Sequence, residues 1–280
     1  MSSDYSTLPK RVAVAVFGIP IILGSLRIGL LALPVLITIV QAVSFWEWRG
    51  LSKRKGIHPA VWPGLAAFPA LNAAWYFGGT PDAARVAGCF LVLSLLVELF
   101  RGKPGAIANA SASIAGFFYI GLFSFFIPIR ELPASAGWPY AAGGWILLMT
   151  VLTIWVCDTA AYFIGSSFGR HRLFPRVSPK KTWEGGLAGL VSAPLVSVFI
   201  QNRTLPMLST TDAILIGVII GVFSQIGDLT ESVFKRDAGV KDSSNLLPGH
   251  GGMFDRFDAP ILVAPVVYAY LFWLVLPGRG

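Results

Sequence analysis

The chain has 280 residues, of which 55% are hydrophobic and 13% charged, and its mean hydropathy is +0.69. A soluble domain carries about 25% charged residues, so the composition excludes a water-soluble enzyme or binding module, and the continuous apolar runs exclude a transmembrane β-barrel, whose signal is alternation. The formal net charge of +8 on so apolar a chain points to anionic headgroups and nucleotides as partners, with no nucleic acid expected.

A bilayer-spanning helix takes about 20 mostly apolar residues. Nine runs meet or approach that length, at roughly 12–26, 28–48, 58–78, 84–100, 106–129, 141–167, 184–201, 211–234 and 259–277. They predict an all-α, polytopic integral membrane protein with about nine transmembrane helices in a lipid bilayer. Lys10 and Arg11 precede the first run with no small-residue cleavage site, so that run reads as a span. Spans two and four end alike, with Glu47 ahead of Arg49-Gly50 and Glu98 ahead of Arg101-Gly102, and interfacial ion pairs are the expected use of both acids. Cys89 and Cys157 lie in apolar runs without metal-ligand spacing and read as small buried hydrophobes. Gly217 and Gly221 form a small-xxx-small helix contact, within the chain or between copies of it. Residues 1–140 make an N-terminal group of spans one to five. Residues 141–280 hold spans six to nine with cytoplasmic loops 168–183 and 235–258.

Basic residues set the orientation. With the N-terminus cytoplasmic, 17 of the 22 Lys and Arg fall in inner segments, and only Arg27, Arg85, Arg130, Arg203 and Arg279 fall outside. The positive-inside rule therefore places the N-terminus in the cytoplasm and the C-terminus outside.

Carboxylates within the hydrocarbon are costly and mark function or pairing. Asp158, in "IWVCDTAAYFIG", would sit roughly 15 Å below the basic loop at Arg170 on a helix. Asp228 would sit roughly 10 Å deep. Ser224, Asp228, Glu231 and Lys235 follow spacings of four, three and four, which places them on one helical face. Such a stripe is expected to line a polar cavity open to the cytoplasm.

Two loops hold the remaining chemistry. In "RHRLFPRVSPKKTWEGG", Ser178, Lys180, Lys181 and Thr182 precede a helix start, where unpaired N–H groups favour anions. The second loop concentrates Lys235, Arg236, Lys241, Arg256, Asp237, Asp242, Asp255, Asp258 and His250 within 24 residues. Gly251 and Gly252 beside His250 offer backbone N–H groups for a phosphate nest. Acids and bases together indicate a site where carboxylates and substrate phosphates share Mg²⁺.

The stretch "SVFKRDAGVKDSSNLLPGHGGMFDRFD", residues 232–258, resembles the signature of phosphatidate cytidylyltransferases, the CDP-diacylglycerol synthases. Ser232, Lys235, Arg236, Lys241, Asp242, Pro248, His250, Gly251, Gly252, Asp255, Arg256 and Asp258 fill its positions. "CDTAAYFIG", "SPKKTWEG" and "SQIGDLTES" are also similar to the family. The resemblance implies transfer of a cytidylyl group from CTP to phosphatidate, giving CDP-diacylglycerol and diphosphate, in a bacterial inner membrane with the active site facing the cytoplasm. On that basis Asp228 and Asp255 are expected to hold Mg²⁺, with Asp258 and Glu231 as further ligands and a second cation such as K⁺ allowed in the same centre. Lys235, Arg236, Lys241 and Arg256 would neutralise CTP phosphates and the leaving diphosphate, with His250 held among the catalytic groups. Lys180 and Lys181, beside Ser178 and Thr182, would do likewise or hold the phosphatidate headgroup, Asp158 would complete the polar cavity, and Ser224 and Asp242 are expected among the substrate-binding residues. A homodimer is also implied by the family. A polyprenol or dolichol kinase, a relative acting on archaeal-type ether lipids and an anion transporter are the competing readings. The transporter would require polar residues through the full membrane depth and, usually, inverted repeats.

Overall fold

In the computed structural model of the chain, residues 8–247 and 251–276 are described, so His250 and Pro248 lie outside the described residues. Ten α-helices follow one another among them: α1 (Leu8–Ile28), α2 (Ala32–Arg54), α3 (Val61–Phe77), α4 (Thr80–Arg101), α5 (Ala106–Gly121), α6 (Phe126–Ser135), α7 (Tyr140–Phe168), α8 (Trp183–Thr204), α9 (Thr210–Asp237) and α10 (Phe254–Tyr270). A 3-10 turn, Leu122–Phe125, joins α5 to α6, and a π-helical turn, Leu271–Val275, extends α10. Between α7 and α8 the expected loop is a two-stranded antiparallel hairpin, β1 (Arg172–Phe174) and β2 (Ser178–Thr182).

Among the described residues, six helical stretches are long and apolar enough to cross a membrane: α4, Ala106–Ser135, α7, α8, α9 and Phe254–Val275. The chain is an all-α membrane protein, and the expected nine spans are supported at these six. The other three expected spans coincide with α1 to α3. There α3 has only 17 residues, and α2 carries Glu47, Arg49, Lys53 and Arg54.

The chain forms two compact units, Met1–Ile127 with Phe234–Phe257 and Pro128–Val233 with Asp258–Gly280. The first unit has an aromatic core. Phe117 stacks on Phe90 and Phe68 at centroid distances of 3.8 and 5.0 Å, and Phe68 meets Phe45 edge-on at 5.5 Å. Gly116 admits this packing, because a Cβ there would lie 2.9 Å from the Phe45 ring. A buried polar ring ties three segments together. Gln41 Nε2 donates to Ser124 Oγ (2.8 Å), Ser124 Oγ to Asn72 Oδ1 (2.7 Å) and Asn72 Nδ2 to Gln41 Oε1 (2.8 Å). With every member paired, the ring acts as interhelical glue.

In the second unit, α7, α8 and α9 pack through small residues. A Cβ on Gly189 of α8 would lie 3.0 Å from the Cys157 carbonyl of α7, and one on Gly185 would lie 2.6 Å from the Ala161 carbonyl. On α9, Gly217 and Gly221 face Ala193, Pro194 and Leu190 of α8. The small-xxx-small pair is thus an intramolecular contact. A Cβ at Gly217 would fall 2.7 Å from Pro194 N and 3.0 Å from the Ala193 carbonyl carbon, both backbone atoms that cannot turn aside. Gly217→Ala is expected to destabilise the protein by about 1–3 kcal/mol through overpacking. Gly88→Ala, where a Cβ meets nothing within 4 Å, is expected to leave stability unchanged or slightly raised. Thermal unfolding of the two variants in detergent checks the contrast.

Candidate active site

Three carboxylates converge in the second unit. One oxygen each from Asp228, Glu231 and Asp258 lies within 4.8 Å of the others. The first two occupy successive turns of α9. Gly227 brings the third to them, because a Cβ at Gly227 would stand 2.7 Å from the Asp258 carbonyl oxygen and 2.9 Å from Ala259 Cα. Glu231 is only 1% exposed. Lys181 Nζ forms an ion pair with Asp228 Oδ2 at 2.6 Å, and Ser232 Oγ donates to Asp228 Oδ1 at 3.3 Å. Carboxylates this close together disfavour one another's charged forms, and a bound cation would relieve the repulsion. Three hard oxygen donors suit Mg²⁺.

The hairpin explains how Lys181 reaches this centre. Thr182 ends β2 and caps α8: its Oγ1 accepts from Gly185 N at 3.2 Å, and the residue is 3% exposed. Trp183 N donates to the His171 carbonyl at 2.9 Å, and the His171 ring nitrogen Nδ1 lies 2.7 Å from Glu184 Oε1, so the base of the hairpin is closed on the helix start. Lys180 is exposed and Lys181 half-buried, as strand alternation requires of neighbouring residues. The Thr182 hydroxyl is therefore a helix cap, and Ser178 begins the strand that delivers the lysines.

In the first unit the signature loop leaves α9 through a Schellman turn. Gly239 has φ +71°; Val240 N donates to the Lys235 carbonyl at 2.9 Å and Gly239 N to the Arg236 carbonyl at 3.0 Å, a pattern that requires a left-handed residue. The loop then returns to the start of α10. Asp255 is 9% exposed. Its Oδ1 accepts from Lys235 Nζ at 3.0 Å, and its Oδ2 accepts from Gly252 N at 2.8 Å and Ser243 N at 3.0 Å. Leu247 N donates to the Gly251 carbonyl at 2.9 Å. Beneath the loop, Phe234 and Phe254 meet the rings of Trp48 and Tyr119 at centroid distances of 5.0 to 6.3 Å.

The expected site residues thus fall into distinct environments. Arg236, Lys241, Asp242 and Arg256 are exposed, and Arg236 Nη1 also donates to the Val240 carbonyl. The Gly252 amide, expected in a phosphate nest, is taken by Asp255, and Gly251 holds φ +80°. Ser224 is fully buried, with its hydroxyl 3.6 Å from Cys157 Sγ. Asp158 is exposed on α7. Cys157 is buried as expected, whereas Cys89 is exposed on α4.

Glu98 pairs with Arg101 as expected, but Glu47 does not serve as an interfacial ion pair with Arg49, whose guanidinium lies over the Trp46 ring instead. Glu47 is 4% exposed and accepts from Phe254 N (2.7 Å), Met253 N (3.0 Å), Ser243 Oγ (3.3 Å) and Ser244 Oγ. The available sequence signal was the run Gln41, Ser44, Glu47, a polar stripe at helical spacing along α2.

A model of the "Cytidylyltransferase family" matches residues 9–274. A protein named phosphatidate cytidylyltransferase from Synechocystis is 35% identical over 292 residues, covering 96% of this chain and 97% of the relative. Proteins of the same name from Pseudomonas aeruginosa and Bacillus subtilis are 33% and 32% identical, covering 95% and 94% of this chain and 97% of each relative.

Loss of the Thr182 cap in Thr182→Ala is expected to cost about 1 kcal/mol, with Thr182→Ser restoring most of it. Thermal unfolding of the pair in detergent reads the effect. Equal loss in both variants would contradict the capping role.

Proposed function

We infer the function from one premise: the chain belongs to the cytidylyltransferase family. The reaction we propose is transfer of the cytidylyl group of CTP to phosphatidate, giving CDP-diacylglycerol and diphosphate. The names carried by relatives that align along nearly the whole chain support the substrates. The convergence of Asp228, Glu231 and Asp258 is the observation that supports the chemistry.

A phosphate oxygen of phosphatidate attacks the α-phosphorus of CTP in line. The bond from that phosphorus to the bridging oxygen breaks, and diphosphate leaves with the electron pair. Such a transfer depends on positioning and charge neutralisation rather than on covalent catalysis by the protein. Asp228, Glu231 and Asp258 would hold Mg²⁺, which when bound supplies positive charge to the phosphates. Lys181 orients Asp228 through its ion pair. Lys180 is exposed on the same strand and is suited to an anionic headgroup. Lys235, Arg236, Lys241 and Arg256 meet the charge of the triphosphate. Asp255, whose oxygens accept from Lys235, Ser243 and Gly252, anchors the loop in this scheme, and the metal is assigned to Asp258 in its place.

The distribution of 17 basic residues against five supports an N-terminus and an active site on the cytoplasmic side. The family resemblance supports a bacterial inner membrane and a homodimer.

Purified protein in phosphatidate–detergent micelles is expected to release diphosphate only with CTP, phosphatidate and Mg²⁺ together, and to leave ATP unused. Asp228→Asn and Asp258→Asn are each expected to lower turnover by about 100-fold or more while the protein stays folded. Full turnover in either variant would remove that residue from the metal site, and ADP formed from ATP would move the protein to the kinases.

A further inference from the structure

Glu47 lies about 200 positions from the signature and belongs to no recognised motif, yet its carboxylate is joined to the described parts of the signature loop on both sides. Ser243 Oγ and Ser244 Oγ donate to it from where the loop leaves Lys241 and Asp242. Met253 N and Phe254 N donate to it where the loop enters α10. The two amides are among the unpaired N–H groups that open a helix, where negative charge is favoured. Asp255 takes the neighbouring amide of Gly252. This helix start, which would otherwise suit a substrate phosphate, is therefore filled by the protein's own carboxylates. Gly252 is shaped to this contact, because a Cβ there would stand 2.7 and 2.8 Å from the two Glu47 oxygens. At 4% exposure, a carboxylate with this many donors is fixed in place, and so is whatever it holds.

We propose that Glu47 is a positioning residue for CTP: it fixes Ser243, Ser244, Met253 and Phe254 against α2, so that Lys241 and its neighbours present their charge in one arrangement to the triphosphate. The inference rests on the cytidylyltransferase reading and gives α2 a part in nucleotide binding. Only an acceptor-only group suits four converging donors. A glutamine of the same shape turns an NH₂ toward at least one of them.

The test measures KM for each substrate separately, together with kcat. Glu47→Gln is expected to raise KM for CTP by about tenfold, the loss of a hydrogen bond to a charged group, while KM for phosphatidate stays within about twofold of the wild type. Ser243→Ala combined with Ser244→Ala keeps the carboxylate and removes two donors. It is expected to raise KM for CTP in the same direction, and adding Glu47→Gln to it is expected to give less than the sum of the two effects. A merely structural role would lower the folded fraction, and with it the apparent kcat, and leave KM for CTP unchanged; that result overturns the proposal. If Glu47→Gln does not fold, an unchanged KM for CTP in the serine double variant overturns it equally. Wild-type protein that releases no diphosphate from CTP and phosphatidate would overturn the cytidylyltransferase reading first, and this inference with it.

Discussion

A carboxylate inside an apolar helical body is stable only where donors or cations surround it, and the polar architecture of this chain follows from that constraint. Glu47 and Asp255 show one solution. Each is at least nine-tenths buried: Asp255 collects the Ser243 and Gly252 amides of the loop, and Glu47 the Met253 and Phe254 amides where the loop enters α10. Lys235 adds a side-chain cation on Asp255. The loop gains a defined path because these acids need its amides, and the acids are tolerated because the loop supplies them. Phe234 and Phe254, packed on Trp48 and Tyr119, fix the same segment from its apolar side.

Asp228, Glu231 and Asp258 represent the other solution. Here the acids crowd one another, and Lys181 pairs with Asp228. Such a cluster can exist only if the backbone forces it, and glycine provides the means. Gly227 lets the start of α10 approach α9, while Gly185 and Gly189 let α8 lie close against α7. The hairpin that carries Lys181 is fastened to the first turn of α8 by the Thr182 cap and the His171–Glu184 contact. Local turn chemistry thus determines where a single ammonium group meets a carboxylate many residues away.

The helices and the charged stripe were legible in the sequence because both follow from short-range periodicity. Apolar length marks a span, and spacings of four, three and four put Ser224, Asp228, Glu231 and Lys235 on one face. Of the stripe, Ser224, Glu231 and Lys235 are buried and Asp228 is half-buried. The hairpin was not legible, since strands of three and five residues rich in basic residues and proline carry no strand signature. The division of work between Asp255 and Asp258 was also hidden. The two lie three residues apart at the start of one helix, and only tertiary partners distinguish an acid that holds amides from one that joins a carboxylate cluster. Glu47 was misjudged for the same reason. Its nearest base in sequence is Arg49, but its partners are donors about 200 residues away, and no local pattern registers a contact at that range.

These assignments also change how the charge of the signature is understood. A stretch with comparable numbers of acids and bases looks balanced on paper, yet its charges are not equally available. Asp255 is committed to Lys235 and two amides, and Asp237 pairs with Lys55 at the surface. Arg236, Lys241 and Arg256 are exposed. With Asp242 also exposed and Asp237 paired to Lys55, what the described loop presents outward is positive on balance, while its buried acid is engaged in holding the loop together. A segment built this way attracts a polyphosphate without having to release an internal ion pair first, which keeps the desolvation cost of binding on the ligand and a few exposed side chains. The exception is Lys235, 9% exposed and bound to Asp255. Its charge is already partly compensated by Asp255, so in the proposed reaction it would contribute less to a triphosphate than the three exposed bases.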